Sequence, residues 1–246
     1  MRILVTNDDG IDSRGLRALV DALREAHEVW VIAPEGERSG VSHCVTLKGP
    51  IRFTRHAERE FAVSGSPADC VILSMFDAIP VRPDAVVSGI NHGPNIGTDL
   101  LYSGTAAAAR QGALMRLPSL AVSLDFSNDG MEFARPAAFV AANLERFVAL
   151  WSADHFININ FPASGEYRGV RVSSPCQKVY NDRLRGFEAP DGRIYYFMQG
   201  EGFDIAEEEG SDWQAIKGGF VSVSPIRVHP NMGDDGAYRA AKFEVL

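Results

Sequence analysis

MRILVTNDDG, residues 1–10, joins a short apolar run to four residues that favour a tight turn. Residues 3–5 are typical of a strand that is buried on both faces, and residues 7–10 end it. A helical pattern follows, because the apolar residues at 16, 19, 20 and 23 have helical spacing. In an open α/β sheet this order places Asp8 and Asp9 at the carboxyl end of a strand, where such folds bind ligands.

Residues 28–33 read as a second buried strand, so the chain begins with a strand–helix–strand unit. Such crossovers are nearly always right-handed and join parallel strands. The polar loop at residues 34–43 therefore lies beside Asp8 and Asp9. The candidate chemical groups of this loop are Arg38, Ser39, Ser42 and His43.

A third polar loop, residues 88–99, follows a buried strand at 84–88 and carries Asn91 and Asn95 among three glycines. Glycine lets a backbone adopt unusual dihedral angles and approach a ligand closely. Ser103, Gly104 and Thr105 then begin an Ala-rich helix. Free backbone N–H groups and the helix dipole favour an anion at such a start.

The composition limits the classes of partner. The 246 residues carry a net charge of −8, which argues against a nucleic-acid polymer as partner. An acidic protein that acts on an anion needs local positive charge, and a cation or a helix N-terminus supplies it. Three cysteines without paired spacing, and no long apolar segment, predict a cytoplasmic protein that does not enter the membrane.

The remaining pattern divides the chain near residue 165. A β-rich hairpin is expected at about 45–53 and 61–64, a strand at 119–124, a long helix at 131–151 and a strand at 156–160. After these, strands without intervening helices are expected at 169–173, 176–181, 193–198 and 219–224. We therefore expect an α/β core at 1–165 that carries the site, and a β-rich extension and tail at 166–246.

The three loops together offer carboxylate, hydroxyl and amide oxygens, from Asp8 and Asp9, Ser39, and Asn91 and Asn95. Adjacent carboxylates repel each other unless a cation lies between them or one is protonated. Oxygen ligands without clustered Cys or His favour Mg²⁺ or Mn²⁺ over zinc. Such a cation lowers the pKa of a bound water, so the set suits hydrolysis of a phosphate monoester.

Five motifs, in this order, also resemble the family of the stationary-phase survival protein SurE, which comprises metal-dependent 5′(3′)-nucleotidases. They are VTNDDG (5–10), APEGERSG (33–40), SPADC (66–70), SGINHGPNIG (88–97) and YSGT (102–105). The resemblance implies a three-layer α/β/α, Rossmann-like core and release of phosphate from nucleoside 5′-monophosphates. Activity on 3′-monophosphates and short polyphosphate is implied as well.

Carried over by motif, the resemblance implies one divalent metal ion per subunit, held by Asp8, Asp9, Ser39 and Asn91. It implies phosphate contacts from Asn95, Ser103, Gly104 and Thr105, with Asp8, Asp9 and Asn95 as the catalytic residues. Family members are dimers or tetramers that exchange the β extension, so a homodimer or homotetramer is expected.

Two alternatives stay open from the residues alone. One is a regulatory module that binds nucleotide and metal without significant turnover. The other is a phosphatase that forms an aspartyl-phosphate, although that chemistry uses two Asp separated by one residue and here they are adjacent. The general base is also open: Asp8 or Asp9 is a candidate, and His43 is a weaker one.

Overall fold

The computed structural model describes residues 1–127, 130–163, 166–206 and 208–230. Its strands are β1 (Arg2–Thr6), β2 (Glu28–Pro34), β3 (Phe53–Ala57), β4 (Glu60–Val63), β5 (Ala85–His92), β6 (Ser119–Leu124), β7 (His155–Phe161), β8 (Val170–Val172), β9 (Lys178–Glu188), β10 (Ile194–Ile205) and β11 (Val221–Arg227). Its α-helices are α1 (Arg14–Arg24), α2 (Pro67–Met75), α3 (Gly104–Leu114), α4 (Ala134–Leu150) and α5 (Asp212–Lys217), and a 3₁₀ helix spans Gly97–Leu101.

The central sheet has nine strands in the order β3-β4-β2-β1-β5-β6-β7-β11-β8. Strand β1 lies parallel to β2 on one side and to β5 on the other. The chain therefore leaves β1 in one direction to form β2 and later returns to its opposite side to form β5. Open α/β sheets bind ligands at the point where the strand order reverses in this way. The loops that follow β1, β2 and β5 lie at this point, as predicted.

Helices cover both faces of this sheet, which confirms the predicted three-layer α/β/α core. Alternate residues of β1 point to opposite faces, so Ile3 and Val5 pack with α1 and α4 while Leu4 packs with α2. The small side chains of α3, including Ala106 and Ala109, pack against β6 and β7. The sheet thus divides the apolar core into two layers, and the polar loops lie at the carboxyl ends of its strands.

The start of α2 matches its sequence pattern. The Ser66 hydroxyl accepts a hydrogen bond from the Asp69 backbone N–H, and the Asp69 carboxylate accepts one from the Ser66 backbone N–H, which forms a capping box. Asp69 also accepts hydrogen bonds from the backbone and hydroxyl of Thr46 at 2.9 and 2.7 Å. The carboxylate of Asp69 therefore serves the fold.

Several predicted strand boundaries were wrong. The strands predicted at 176–181 and 193–198 continue to Glu188 and Ile205, as β9 and β10. The predicted hairpin begins only at Phe53, because Gly49 and Pro50 interrupt the segment before it and proline cannot donate to a strand ladder. Strand β5 does not end at Ser88 but continues to His92, with an irregular pairing between Ser88 and Asn91. Gly89, which the sequence pattern assigns to a loop, marks this irregularity inside the strand.

The strands after residue 165 belong to two sheets. Strand β11 pairs with β7 and β8 pairs with β11, so both extend the central sheet, whereas β9 and β10 form a separate antiparallel sheet. The expectation of strands without helices was wrong, because α5 lies between β10 and β11 and is capped by Ser211. Six residues are too few to show helical periodicity in the sequence. Residues 231–246, the predicted tail, lie outside the described residues.

Candidate active site

Asp8, Asn91 and Thr105 meet at the carboxyl edge of the sheet. Asp8 follows β1 and is 3% exposed. The Thr105 hydroxyl donates a hydrogen bond to Asp8 Oδ1 and lies 3.4 Å from Asn91 Oδ1. Three of the residues predicted from separate motifs are thereby brought into one cluster, from the ends of β1 and β5 and the start of α3.

The start of α3 faces the Asp8 carboxylate. Burial raises the pKa of Asp8, while the Thr105 hydroxyl and the backbone N–H groups of Thr105 and Gly104 lower it in part. A Cβ atom on Gly104 would lie 2.8 Å from Asp8 Cβ and 2.9 Å from Asp8 Oδ2, so this approach requires glycine. An anion held at this helix start would therefore lie next to Asp8 and any cation bound there.

The surroundings of the Asp9 carboxylate favour a positive charge beside it. Burial and then the charge of Asp8 raise the pKa of Asp9 to about 6, against smaller opposing effects from His92. Its Oδ2 atom is buried and has no hydrogen-bond partner in the part of the chain that the structure describes. A buried carboxylate oxygen without a donor fits a cation as its partner.

Asn91 presents an oxygen to the same place. Its Nδ2 donates to the Gly93 carbonyl at 2.9 Å, which assigns the amide nitrogen and leaves Oδ1 on the side of Thr105. An amide oxygen next to the hydroxyl that bonds Asp8 is a ligand of the type that a hard cation accepts.

Ser39 lies across the loop that follows β2. It lines a cavity of about 520 Å³ together with Asp9 and His92. The backbone N–H of Arg38 donates to the Asp8 carbonyl at 2.6 Å, which holds this loop against the end of β1. Ser39 itself is exposed and forms no hydrogen bond with Asp8, Asp9 or Asn91 within the described residues, so it shares the cavity and not the contact cluster.

Asn95 is fixed by residues that the sequence analysis did not assign to the site. Its backbone N–H donates to Asn160 Oδ1 at 2.8 Å, and its Nδ2 donates to Ser123 Oγ at 2.9 Å. Asn158 and Asn160 both donate to its carbonyl, at 2.8 and 3.1 Å. The sequence signal that could have identified these residues is the pair Asn158 and Asn160 inside an otherwise apolar strand, because buried amides need hydrogen-bond partners.

Ser103 is the N-cap of α3. Its hydroxyl accepts a hydrogen bond from the Ala106 backbone at 3.0 Å, and its N–H donates to the Asp99 carbonyl at 2.9 Å. The side chain is therefore engaged as a helix cap, and its O–H remains as a donor to a ligand.

The two histidines near the site differ in their surroundings. His43 Nε2 lies 2.9 Å from Gln111 Oε1, and burial lowers the pKa of His43, with Arg110 adding to this effect. His92 was not singled out from the sequence. Its ring stacks on Phe133 at 5.1 Å between centroids, and it lines the cavity beside Asp9. His43 thus contacts α3 through Gln111, while His92 borders the proposed cation ligands.

No group of three or more His, Cys, Asp or Glu side chains placed to hold a metal occurs in the described ranges. A magnesium site needs fewer charged ligands than such a group supplies, because Mg²⁺ keeps several waters and is held by one or two carboxylates. The pair Asp8 and Asp9, with the neutral oxygens of Asn91 and Ser39 nearby, is of that kind. The donor set therefore fits a hard cation.

The raised pKa of Asp9, caused by burial and then by the charge of Asp8, affects the stability of the metal-free protein. Because the folded-state pKa of Asp9 lies above its ordinary value, the protonated form is favoured in the fold, and this stabilisation is lost as the pH rises through about 6. Asp9→Asn should therefore raise the melting temperature in EDTA at pH 8, by about 2–4 °C for about 1 kcal/mol.

Thermal unfolding of Asp9→Asn at pH 4 and pH 8 checks this expectation. Asp12→Asn is the matched control, since Asp12 lines the same cavity but its side chain is 82% exposed. The gain should shrink at pH 4, where Asp9 is already protonated. A lower melting temperature at pH 8, or an equal gain at both pH values, would contradict this account of Asp9.

Comparison with known proteins adds independent findings. A family model described as Survival protein SurE matches residues 3–182. A protein named 5′-nucleotidase SurE from Geotalea uraniireducens (strain Rf4) is 39% identical over 232 residues, covering 93% of each chain. One of the same name from Anaeromyxobacter sp. (strain Fw109-5) is 43% identical over 232 residues, covering 93% of this chain and 90% of that protein.

A solved structure is similar as well. The crystal structure of the SurE protein from Aquifex aeolicus matches with a TM-score of 0.83 at 31% sequence identity, over 98% of both chains. The similarity therefore extends through the strands after residue 165.

Proposed function

The chain belongs to the SurE family, and from this premise we propose that it is a 5′-nucleotidase that hydrolyses nucleoside 5′-monophosphates with the help of a bound divalent cation. The observation that carries the proposal is the placement of the Asp8 carboxylate against the start of α3, with the Asp9 carboxylate next to it in the chain. The positive end of the α3 dipole can thereby bind a phosphate next to the carboxylates that can bind a cation.

Asp8, Asp9, Ser39 and Asn91 would hold the cation, which we take to be one Mg²⁺ or Mn²⁺ per subunit. Support comes from Asp9 Oδ2, which is buried without a hydrogen-bond partner among the described residues, and from Asn91 Oδ1, which lies 3.4 Å from the Thr105 hydroxyl. When bound, the cation supplies charge stabilisation for a phosphoryl group and a water of lowered pKa.

The phosphate would be held by Asn95, Ser103, Gly104 and Thr105. The N-terminal turn of α3 offers N–H donors and the positive end of its dipole, and Asn95 is held rigidly by β6 and β7. Preorganised donors of this kind stabilise the charge that develops on a transferring phosphoryl group.

Asp8 and Asp9 are also the candidates to accept the proton of the attacking water, and with Asn95 they form the proposed catalytic set. His43 is a weaker candidate, because its Nε2 is already bonded to Gln111. Reaction of a nucleoside 3′-monophosphate or of short polyphosphate uses the same phosphate and cation contacts, so we include both as further substrates.

Residues 1–165 would act as the core that carries the site, and 166–246 as an extension that joins subunits into a homodimer or homotetramer. Large apolar side chains of β9 and β10, such as Leu184, Phe197 and Met198, are between 64% and 72% exposed, which supports a protein partner. We propose that the enzyme works in the cytoplasm without nucleic-acid polymer or membrane partners. Among the described helices, none has the length and apolar character needed to cross a membrane.

Release of inorganic phosphate from a panel of nucleoside 5′- and 3′-monophosphates tests the proposal. The assay is run with EDTA, with Mg²⁺ and with Mn²⁺. We expect release only with an added cation and at rates that differ between bases. No release from folded protein, together with measurable nucleotide binding, would instead support a binding module. A trapped phosphoenzyme would support the aspartyl-phosphate phosphatase.

A further inference from the structure

A buried ion pair joins the first residue of β9 to the segment that precedes α3. Lys178 Nζ lies 2.8 Å from Asp99 Oδ2, and the two side chains are 8% and 12% exposed. The Tyr180 hydroxyl donates a hydrogen bond to the other oxygen of Asp99. Both oxygens of the Asp99 carboxylate are therefore held by residues of β9.

The backbone beside Asp99 is held to the same part of the chain. The Thr98 hydroxyl donates to the Lys178 carbonyl at 2.6 Å, and the Gly97 N–H donates to Asp212 Oδ2 at 2.9 Å. Gly97 has a φ of +50°, and a Cβ atom there would lie 2.2 Å from the Cys176 carbonyl oxygen. The 3₁₀ helix is thus packed directly on the chain that leads into β9.

Asp99 in turn defines the start of α3. Its backbone carbonyl accepts hydrogen bonds from the N–H groups of Tyr102 and Ser103, at 3.0 and 2.9 Å. Ser103 caps the helix, and the next two residues face Asp8. A continuous set of contacts therefore runs from Lys178 through Asp99 to the turn where the phosphate is proposed to bind.

Lys178 is suited to hold this position. Burial lowers the pKa of Lys178, but hydrogen bonds to Asp99 and Tyr180 outweigh this effect, so the side chain stays charged. Its ammonium group also lies 4.7 and 4.2 Å from the ring centroids of Tyr180 and Phe203. Removing one partner of such a buried pair leaves the other charge uncompensated, so the geometry of Asp99 depends on Lys178.

We propose that Lys178 and Tyr180 are positioning residues, which hold Asp99 and thereby fix the start of α3 in the geometry that binds phosphate. The β extension is in this way coupled to the affinity of the site for its substrate. The effect on turnover rests on the proposed nucleotidase function, whereas the effect on the conformation of residues 97–105 does not.

Lys178→Met tests the proposal, with Lys178→Arg as the conservative variant and Lys217→Met as the matched control. Lys217 is an extension lysine that stacks on Trp213 at 4.5 Å and lies on α5. We expect Lys178→Met to raise KM for a nucleoside monophosphate by about tenfold, with kcat within about threefold of wild type. Calorimetry with inorganic phosphate and Mg²⁺ should show a comparable loss of affinity. Lys178→Arg should restore both values, and Lys217→Met should leave them unchanged.

Amide hydrogen exchange of residues 97–105 gives a readout that does not depend on turnover. Exchange should become faster in Lys178→Met and stay at the wild-type rate in Lys217→Met. If the wild type releases no phosphate, the nucleotidase proposal fails and this exchange difference alone decides whether the residue positions α3.

Three results would overturn the proposal. The first is a folded Lys178→Met protein with wild-type KM and phosphate affinity. The second is unchanged exchange of residues 97–105 in that variant. If Lys178→Met does not fold, Tyr180→Phe removes only the hydroxyl that bonds Asp99 and should raise KM by about two- to threefold. An unchanged KM in Tyr180→Phe would be the third.

Discussion

Asp8→Asn is expected to lower cation-dependent phosphate release by at least about 1000-fold, because several kcal/mol of charge stabilisation depend on the cation. Asp8 is almost fully buried, and its Oδ1 accepts the Thr105 hydroxyl. An amide in its place keeps the shape of the side chain but loses the charge that attracts the cation. Loss of this charge also removes the favourable interaction of the Asp8 carboxylate with the positive end of the α3 dipole.

The fold should tolerate Asp8→Asn. Burial raises the pKa of Asp8, so the charged form is unfavourable in the metal-free protein and its removal costs little stability. The matched control is Asp12→Asn, in the same loop and cavity but exposed, which should keep its activity. Phosphate release at saturating Mg²⁺ is measured beside thermal unfolding. A folded Asp8→Asn protein that retains most of its activity would show that the proposed site is wrong.

Gly104→Ala is expected to lower kcat/KM by about 100-fold, since a displacement of about 1 Å at a catalytic group has effects of that size. The added Cβ would meet Asp8 Cβ at 2.8 Å, Asp8 Oδ2 at 2.9 Å and Pro67 Cγ at 3.1 Å. Asp8 and the start of α3 must therefore move apart. The proposed cation ligand and the proposed phosphate donors are displaced together.

Gly200→Ala is the control for this substitution. Gly200 lies in β10, and the nearest atom to its added Cβ would be an Asp182 oxygen at 3.6 Å, an ordinary contact distance. Steady-state kinetics of both variants, with circular dichroism to confirm folding, make the comparison. Wild-type kcat/KM in Gly104→Ala would mean that the approach of α3 to Asp8 has no role in catalysis.

The parts of the fold that follow from local pattern were predictable. The apolar run before Asp8, the helical spacing after it and the second apolar run together specify the first β-α-β unit and place Asp8 and Asp9 at a strand end. Ser66 and Asp69 likewise mark the start of α2, because helix capping uses neighbouring residues.

Contacts between residues far apart in the sequence could not be predicted from local patterns. The hydrogen bonds that fix Asn95 come from Asn158 and Asn160, more than 60 residues later, and no local pattern links them. The pair of Asp99 and Lys178, 79 residues apart, is of the same kind. His92 was missed because its position becomes visible only once β5 continues past Ser88.

Titration of Mn²⁺ into EDTA-treated protein, followed by electron paramagnetic resonance, shows directly whether Asp8 and Asp9 bind one divalent cation per subunit. We expect one bound ion per chain in the wild type and in Asp12→Asn. We expect affinity to fall by at least about 100-fold in Asp8→Asn, since the site then loses one of its two charged ligands. No stoichiometric binding to the wild type, or unchanged affinity in Asp8→Asn, would contradict the account.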